Sequence, residues 1–566
     1  MKYQYYLPVL LVSNFLVFSK CYENLKEPTV LISILIRNKA HVLPYFLHFL
    51  EQQDYPKHRI SLWIRSDNNI DNTMEILEKW LQMVEKRYNS ININLDKSSK
   101  GFDDETSISE WSHKRFSHVM KLREDALDHA RKIWADYIWM LDADVLLTNN
   151  NTLQSIISKK KTVVAPMLKS DGMYSNFWAG MTYDFYYLRT DKYEPILFQE
   201  EVGCFDVPMI HSAVLIDLRR ISSDYLTYKS SKLKNYMGPE DDIIIFALSA
   251  LVAGISLNVC NEEEYGFIMI PLDSKETMEE DNQRLMNLKI EILMHRVNLS
   301  LPMSLQKFVA YLEPNTMGFD HIYMINLMRR PERRERMEFV FQELGLSVET
   351  FAAVDGSVLS KKSLDSMSIK FVPEYMDPYH KRPMTMGEIG CFLSHYEIWK
   401  KVLHNNYSRI MVLEDDVRFE PYFRQKIEFV LKEIETFDID WDLVYIGRKR
   451  LVENQEVPVE NSRHLVYAAY SYWTLGYLLS ASGAKKLIDA NPLSKLVPVD
   501  EYIPILSDMH PREDWKKHFS PRNLVVLSTD PLLIHPTHYT GEKGYISDTE
   551  DSTIVKNFSE EDREEL

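Results

Sequence analysis

Cysteine and glycine are both scarce in this chain of 566 residues, which holds 4 Cys and 17 Gly. If Cys21 leaves with a secretory signal, an odd number of cysteines remains, and this excludes a disulfide-based scaffold. Neither common Gly-rich phosphate loop occurs, which points away from P-loop enzymes and dehydrogenases. Any phosphate that the protein binds would therefore have to be held through a metal ion.

Basic residues are outnumbered, and long apolar runs are missing. The net charge of -17 argues against a general nucleic-acid binder and is compatible with a basic polypeptide partner. The run from Tyr5 to Phe18 is too short to cross a bilayer, and Ile243 to Leu257 is typical of a core helix, so we expect no membrane span. The 45% hydrophobic and 12% aromatic content is that of a folded globular protein. A length of 566 residues is too great for one ordinary core and predicts two domains of unusual size or three smaller ones.

Both ends of the chain carry signals of the secretory pathway. Lys2 and the short apolar run predict a signal peptide over residues 1–21. The acidic tail, residues 551–566, ends in Arg-Glu-Glu-Leu, a variant of the Lys-Asp-Glu-Leu retrieval signal, although a chance acidic tail is the alternative. The sequence also contains Asn-x-Ser/Thr acceptor sites for glycans, at Asn150, Asn298, Asn406 and Asn557. We therefore expect a glycoprotein of the endoplasmic reticulum lumen.

Two apolar strands end in clustered carboxylates. Ile410 to Leu413 runs into Glu414, Asp415 and Asp416, and Tyr137 to Leu141 runs into Asp142 and Asp144. Three like charges after a buried strand repel one another unless a divalent cation offsets them, and hard oxygen ligands suit Mg²⁺ and Mn²⁺. An acidic turn is the alternative for either segment alone, but the repetition of the pattern favours metal and phosphate chemistry.

The order of predicted elements is that of a doubly wound α/β protein. Strands alternate with helices, and polar residues such as Asn38 and Asp67 follow the first two strands, where ligands bind in this architecture. A new first strand near His321 begins the same plan again, so we place two tandem nucleotide-binding domains at 28–314 and 315–550. The late histidine His538 is a further candidate metal ligand.

The second half of the chain is similar to glycosyltransferase family 25. The resemblance lies in three segments, Ile325 to Arg330 with Arg333, Gly387 to Cys391 through Ser394 and His395, and Leu413 to Asp416. It implies two domains of the GT-A type, a UDP-galactose donor, manganese, and inverting transfer of galactose to hydroxylysine in collagen. A collagen-like polypeptide is then the acceptor, and a lysyl hydroxylase and a second copy of the chain are further candidate partners.

The resemblance and the chemistry together assign roles to individual residues. Asp416 is the predicted direct metal ligand, with Glu414 and Asp415 on the metal and ribose side. Arg329, Arg330 and Arg333 are predicted to meet the donor phosphates, although surface arginines at a helix start are the alternative. Asp500 or Glu501 is the predicted base for the acceptor hydroxyl. In the first domain the nucleotide-site candidates are Asn38, Asp67, Asp142 and Asp144, of which the last two are also candidate metal ligands.

Two other functions stay open at this level. A catalytically silent adhesion or scaffold protein could keep the same fold, although the intact acids argue against it. A metal-dependent phosphodiesterase or nuclease would use clustered acids, but such sites commonly mix in histidines, and an acidic chain lacks a basic groove.

Overall fold

A computed structural model of the chain describes residues 26–98, 100–185, 187–540, 542, 545–550 and 552–554. The predicted signal peptide, Asn557 and the retrieval-like end lie outside these residues. The chain forms two compact units. The first holds the residues up to Leu288 together with Leu299–Ala310, and the second holds Lys289–Asn298 and the residues from Tyr311 on. The predicted domain limits, 28–314 and 315–550, stay predictions.

The first unit is built on an eight-stranded mixed sheet. In sheet order its strands are Cys204–Val207, Leu257–Cys260, Val163–Pro166, Ala213–Asp217, Tyr137–Leu141, Val30–Ile36, Ile60–Ser66 and Ser90–Leu95. Two-residue strands pair beside it: Val145–Leu146 with Phe267–Ile268, Phe177–Trp178 with Met209–Ile210, and Gly180–Met181 with Tyr187–Leu188. Apart from Ser33, the strands Val30–Ile36 and Tyr137–Leu141 are apolar, and they are buried along almost their whole length, as is typical of parallel strands covered on both faces.

Helices flank this sheet, and a buried apolar cluster contains residues of both the strands and the helices, among them Ile138, Ile216 and Ile244. The helices are Leu43–Gln52, Thr73–Val84, His113–Lys132, Thr152–Ser158, Tyr193–Leu197, Asp242–Val252 and Met303–Gln306, and the helix Met278–Met294 begins in the first unit and ends among residues of the second. Short 3₁₀ turns lie at Lys57–Arg59, Ile221–Tyr225 and Ser230–Lys232. The core helix predicted from Ile243 to Leu257 is observed at Asp242–Val252, so its predicted end is wrong, because Leu257 begins the strand Leu257–Cys260. Asp241 caps the helix by accepting hydrogen bonds from the backbone N–H groups of Ile243 and Ile244.

The second unit has its own eight-stranded mixed sheet. In sheet order its strands are Glu349–Ala352, His321–Asn326, Arg409–Glu414, Ser471–Ser480, Leu443–Arg450, Val526–Thr529, Leu465–Tyr467 and Val457–Pro458, and Val417–Phe419 pairs separately with Ile534–Pro536. The helices are Pro331–Leu344, Lys361–Ser366, Met386–His404, Phe423–Thr436, Ala481–Asp489, Val499–Leu506 and Glu513–Lys516. The 3₁₀ turns are Gly356–Val358, Glu453–Gln455 and Pro492–Ser494.

The two sheets have the same arrangement of central strands, and this arrangement determines where both sets of acids lie. In each unit the first strand runs parallel to the strand that ends in carboxylates, Val30–Ile36 beside Tyr137–Leu141 and His321–Asn326 beside Arg409–Glu414. Each acid-bearing strand then pairs antiparallel with a later strand. The predicted α/β class with two tandem nucleotide-binding folds is confirmed, and in both units the acids follow the carboxyl end of a central strand.

The first unit holds a disulfide that the cysteine count did not predict. Cys204 and Cys260 lie directly opposite each other on adjacent antiparallel strands and are bonded, while Cys391 of the second unit is free. Among the helices of the described residues, none has the length and apolar character that crossing a bilayer requires.

Candidate active site

A cleft of about 510 Å³ opens in the second unit beyond the ends of its two parallel central strands. Its walls include most of the predicted site residues of this half of the chain, namely Arg329, Arg333, Glu414, Asp415, Asp416, Asp500, Glu501 and His538. These residues are up to 209 positions apart in sequence, and the sheet brings them together. The volume is in the range of small-molecule sites.

Asp415 and Asp416 face the first strand and the helix that follows it. Asp415 accepts hydrogen bonds from Asn326 Nδ2 at 2.6 Å and from an Arg333 Nη1 at 3.1 Å, and the same guanidinium nitrogen lies 3.1 Å from Asp416 Oδ2. Arg336 and Thr537 hold the backbone here, since they donate to the carbonyl oxygens of Asp415 and Asp416. The turn that carries the acids is therefore fixed from both sides.

Glu414 points into a different part of the cleft. Its Oε1 lies 3.1 Å from the Thr474 hydroxyl and 3.6 Å from His395 Nε2. The Thr474 hydroxyl also lies 3.2 Å from Asp500 Oδ1, so this one hydroxyl lies between Glu414 and the predicted base. Asp500 forms no salt bridge among the residues that the structure describes.

The backbone next to Asp500 is unusual. Trp473 has a φ of +63°, in the left-handed region that residues other than glycine rarely adopt, and its N–H donates to Asp500 Oδ2 at 3.0 Å. Backbone strain of this kind clusters at ligand-binding and active sites. Trp473 and Thr474 are site residues that the sequence reasoning missed, because the aromatic-rich stretch around them gave no indication of a strand with a left-handed residue.

Two acids of the cleft have strongly perturbed protonation. Burial in the cleft, reinforced by the negative charge of Glu414, raises the pKa of Asp416 to about 7. The same causes, in the same order, raise the pKa of Asp500 to about 7. The pKa of Asp415 is also raised, by burial first, against the opposing effect of Arg333. Negative charge in this cleft is therefore held at a cost, although Arg333 and Arg336 lie close by.

These residues fit a divalent cation. Glu414, Asp415 and Asp416 supply carboxylate oxygens, and the raised pKa of Asp416 indicates negative charge that a cation would offset. His538 lines the same cleft, one residue after Thr537, which binds the carbonyl of Asp416. A mixed set lies deeper, where Cys391, His395 and Glu414 place their ligand atoms within 4.8 Å of one another.

Two of the three predicted phosphate-binding arginines, Arg329 and Arg333, line the cleft, and Arg330 does not. The carboxylate of Asp548 pairs with all three. Asp548 lies 2.6 Å from Arg329, 2.7 Å from Arg330 and 3.9 Å from Arg333. The segment around Asp548 is also bound to the start of the helix Met386–His404, where Thr385 Oγ1 donates to the Thr549 carbonyl. Sequence reasoning treated this region as the end of a domain and gave it no role in the site.

The glycines of the Gly387-to-Cys391 motif allow close backbone approach. A Cβ on Gly387 would lie 2.4 Å from the Asp548 carbonyl oxygen, and one on Gly390 would lie 2.4 Å from that of Val354. Both contacts are too short for a side chain, so the helix packs against backbone on these sides. Thr385 and Glu388 form a capping box that fixes where this helix begins.

The two candidate bases have different surroundings. Glu501 is buried and accepts hydrogen bonds from Tyr470 at 2.9 Å and Tyr472 at 3.0 Å, and its Oε2 lies 2.8 Å from His510 Nε2. Asp500 instead faces Thr474 and Glu414 in the cleft. This geometry favours Asp500 as the acid that contacts a substrate. It favours Glu501 as the acid that holds Tyr470, Tyr472 and His510 in place through hydrogen bonds.

The first-unit candidates are engaged by other groups of the protein. Asn38 Oδ1 accepts a hydrogen bond from the backbone N–H of Ile70, and Asp67 lies 2.8 Å from His118 Nε2. Asp142 lies 3.0 Å from Arg123, which also binds Asp242 at 2.6 Å. Asp144 lies 3.4 Å from Lys39, which in turn lies 3.6 Å from Asp281. The positively charged side chains of Arg123 and Lys39 therefore already pair with Asp142 and Asp144.

The three acceptor asparagines within the described residues are exposed to solvent. They are Asn150, Asn298 and Asn406. Glycan attachment requires an exposed asparagine, but exposure does not establish that a glycan is attached. The glycosylation of each asparagine therefore stays a prediction.

Comparison with known proteins agrees with this architecture. The family model "Glycosyltransferase family 25, N-terminal domain" matches residues 27–289, and "Glycosyltransferase family 25 (LPS biosynthesis protein)" matches residues 319–503. A glycosyltransferase 25 family member of Aedes aegypti is 52% identical over 94% of this chain and 88% of the relative. Procollagen galactosyltransferase 1-A of Xenopus laevis is 47% identical over 95% of this chain and 88% of its own, and human procollagen galactosyltransferase 2 is 46% identical over 94% and 85%. The solved structure of TarS residues 1–349 from S. aureus has a TM-score of 0.28 and 14% identity, over 50% of this chain and 69% of that one.

The two family models and the named relatives place the chain in the class of glycosyltransferases. The chain belongs to glycosyltransferase family 25. The family resemblance predicted from the three sequence segments is confirmed, and so is the enzyme class.

Proposed function

We propose that this enzyme transfers galactose from UDP-galactose to hydroxylysine of collagen, with inversion and with Mn²⁺, in the lumen of the endoplasmic reticulum. The observation that carries the proposal is the cleft of the second unit, where Glu414 and Asp500 lie on either side of the Thr474 hydroxyl. The high identity with relatives named procollagen galactosyltransferase supports galactose as the sugar and collagen as the acceptor.

The donor side of the cleft is assigned to the acid turn and the arginines. Asp416 is the proposed direct ligand of the cation, with Glu414, Asp415 and His538 as the remaining candidates. The bound cation would neutralise the diphosphate as it leaves. Arg329, Arg330 and Arg333 present planar N–H groups that suit phosphate oxygens. Asn326 and Arg333 hold Asp415 in place while the leaving group departs.

Inverting transfer needs one base on the acceptor side. The hydroxyl oxygen of hydroxylysine forms a bond to the anomeric carbon of galactose, the bond from that carbon to the UDP oxygen breaks, and the hydroxyl proton passes to the base. Asp500 is the proposed base, because a carboxyl with a pKa of about 7 is well matched to a proton acceptor at neutral pH. The N–H of Trp473 and the hydroxyl of Thr474 hold the Asp500 carboxylate in place.

A lumenal location is supported by independent observations. The disulfide between Cys204 and Cys260 is typical of an oxidising compartment, and the exposed acceptor asparagines are available to glycosylation. The signal peptide over 1–21 and the retrieval-like tail over 551–566 complete the proposal. A lysyl hydroxylase that supplies the modified acceptor, and a second copy of the chain, stay proposed partners.

The first unit is proposed to bind a nucleotide without catalysing transfer. Asn38, Asp67, Asp142 and Asp144 lie at the ends of its central strands, where nucleotides bind in such folds. A nucleotide or metal bound there would support the stability of the native state.

A catalytically silent scaffold protein is the competing function, and one assay separates the two. Purified protein is incubated with Mn²⁺, a panel of UDP-sugars and a hydroxylysine-containing collagen peptide, with an unhydroxylated peptide as control. We expect a hexose to be added only with UDP-galactose and only to the hydroxylated peptide. Intact donor and unmodified peptide in every combination would support the scaffold function.

A further inference from the structure

A chain of buried polar groups leads from the core of the second unit to Glu414. Trp399 Nε1 lies 3.0 Å from the Tyr477 hydroxyl oxygen, and that oxygen lies 2.9 Å from His395 Nδ1. The opposite nitrogen of the ring, His395 Nε2, lies 3.6 Å from Glu414 Oε1. All three ring side chains are almost completely buried, with at most 1% of each exposed.

The order of donors and acceptors in this chain is fixed by chemistry. An indole N–H only donates, so the Tyr477 oxygen accepts from Trp399. The phenolic proton of Tyr477 then needs an acceptor, and Nδ1 of His395 is the other partner that the described residues give it. Nδ1 therefore carries the lone pair of the neutral ring, and the ring proton lies on Nε2.

This tautomer decides between two uses of the cluster formed by Cys391, His395 and Glu414. A metal ligand must offer a lone pair, but Nε2, the nitrogen that faces Glu414, carries a proton and cannot coordinate. The N–H instead faces the carboxylate oxygen that Thr474 also contacts. The 3.6 Å separation is longer than a hydrogen bond, so the contact acts as an electrostatic hold on the Glu414 carboxylate.

We propose that His395 is a positioning residue, which Tyr477 and Trp399 fix in one tautomer so that its Nε2–H sets the orientation of Glu414 toward the divalent cation. The inference rests on the proposed function, because it assigns His395 a role through the acid cluster of the cleft. It predicts that removing the hydroxyl of Tyr477, a group that touches no substrate, weakens cation binding.

The test is Tyr477→Phe, with Tyr323→Phe as the matched control. Tyr323 is also buried, on the strand that runs parallel to the Glu414 strand, but its hydroxyl is engaged by Tyr407. The dissociation constant for Mn²⁺ is measured from the EPR signal of free Mn²⁺ with metal-free protein, so no turnover is needed. We expect Tyr477→Phe to raise this constant about 10-fold, the usual lower limit for losing an outer-shell partner of a metal site, and Tyr323→Phe to leave it unchanged.

A double-mutant cycle shows whether the effect passes through Glu414. In a Glu414→Gln background, Tyr477→Phe should have no further effect on Mn²⁺ binding. If the two effects simply add, or if both tyrosine variants bind Mn²⁺ like the wild type, the positioning role is overturned. If the wild type binds no Mn²⁺, the metal assignment of the proposed function fails together with the inference.

His395 itself provides the second arm, in case Tyr477→Phe unfolds. His395→Gln keeps an N–H that can face Glu414 and should retain most of the affinity for Mn²⁺, while His395→Ala should lose as much as Tyr477→Phe. Equal losses in the two His395 variants at equal melting temperatures would contradict the proposal.

Discussion

In the first unit Asp142 and Asp144 lie against Arg123 and Lys39, whereas in the second unit Glu414 lies against a threonine hydroxyl and a histidine. Both sets of acids follow the same strand of the same sheet plan. In the first unit each acid is paired with a cation of the protein itself. In the second unit Arg333 serves Asp415 and Asp416 together, and Glu414 and Asp500 form no salt bridge with Lys or Arg among the described residues.

The difference teaches that the sequence pattern of a strand ending in acids does not by itself determine the charge of the site. The net charge of the site depends on all the charged side chains around the acids, and these come from distant parts of the chain. A cleft with surplus negative charge and open volume suits an external cation. Acids that are paired with Lys or Arg suit a role in stability rather than in catalysis, and the following predictions test this contrast.

The largest effect is expected from the double substitution Glu414→Ala with Asp416→Ala. Transfer should fall on the order of 10³-fold or more, because the leaving diphosphate loses its charge neutralisation. The protein should stay folded, since removing acids from a repelling cluster relieves strain. Galactose transfer to the collagen peptide and a thermal melt measure the two outcomes. Near-normal turnover with Mn²⁺ in the folded variant would show that the site is wrongly assigned.

The next largest effect is expected at Asp500. Asp500→Asn should lower kcat about 10²-fold or more, since a carboxamide cannot accept the acceptor proton. The control in the first unit is Asp242→Asn, which loses an ion pair with Arg123 but should leave transfer per folded molecule unchanged. Measured kcat values, corrected for folded fraction, make the comparison.

Glu501 is the alternative candidate for the base, and a second substitution distinguishes it from Asp500. Glu501→Gln should act on stability, by about 1–3 kcal/mol, because it disturbs a buried acceptor of hydrogen bonds from Tyr470 and Tyr472. If Glu501→Gln abolished transfer in a stable protein while Asp500→Asn kept it, Glu501 would be the base.

In the first unit the expected effect is on folding. Asp142→Ala with Asp144→Ala should lower the free energy of unfolding by about 3 kcal/mol, because Arg123 and Lys39 lose partners in a largely buried setting. Transfer per folded molecule should survive. Denaturant unfolding and the collagen-peptide assay test the pair, and the opposite pattern, stable but inactive, would place the active site in the first unit.

The smallest effect is expected at Asp548. Asp548→Asn should lower KM for UDP-galactose about 3-fold with kcat unchanged, since a partly exposed carboxylate no longer competes for the arginines. Asp489→Asn is the control, because Asp489 pairs with Lys485 on a surface helix of the same unit. A higher KM would mean that Asp548 orders the arginines for the donor.

The sequence predicted the fold well where patterns are local. The strand predicted from Tyr137 to Leu141 is observed with those bounds, and the core helix predicted to begin at Ile243 is observed at Asp242–Val252. Both rest on apolar periodicity and capping residues, which a short segment contains in full.

The site was predictable only in part. Glu414 to Asp416 stand out because adjacent acids after an apolar strand are conspicuous. Arg123 and Lys39 gave no such signal, since their pairing with Asp142 and Asp144 exists only once segments from different parts of the chain lie side by side. Thr474 and Asp548 were missed for the same reason, and the disulfide was missed because counting cysteines does not reveal which two lie opposite each other.

The bond between Cys204 and Cys260 lowers the conformational entropy of the unfolded first unit and not that of the second. It closes a loop across a sequence separation of 56 residues, and a cross-link of that span removes unfolded-state entropy worth about 4 kcal/mol. Only the first unit gains this, since the free Cys391 belongs to the second. Synthesis in a reducing cytosol would therefore remove this stabilisation from the first unit and leave the proposed active-site cleft of the second unit unchanged. We expect a low yield of protein together with full specific activity.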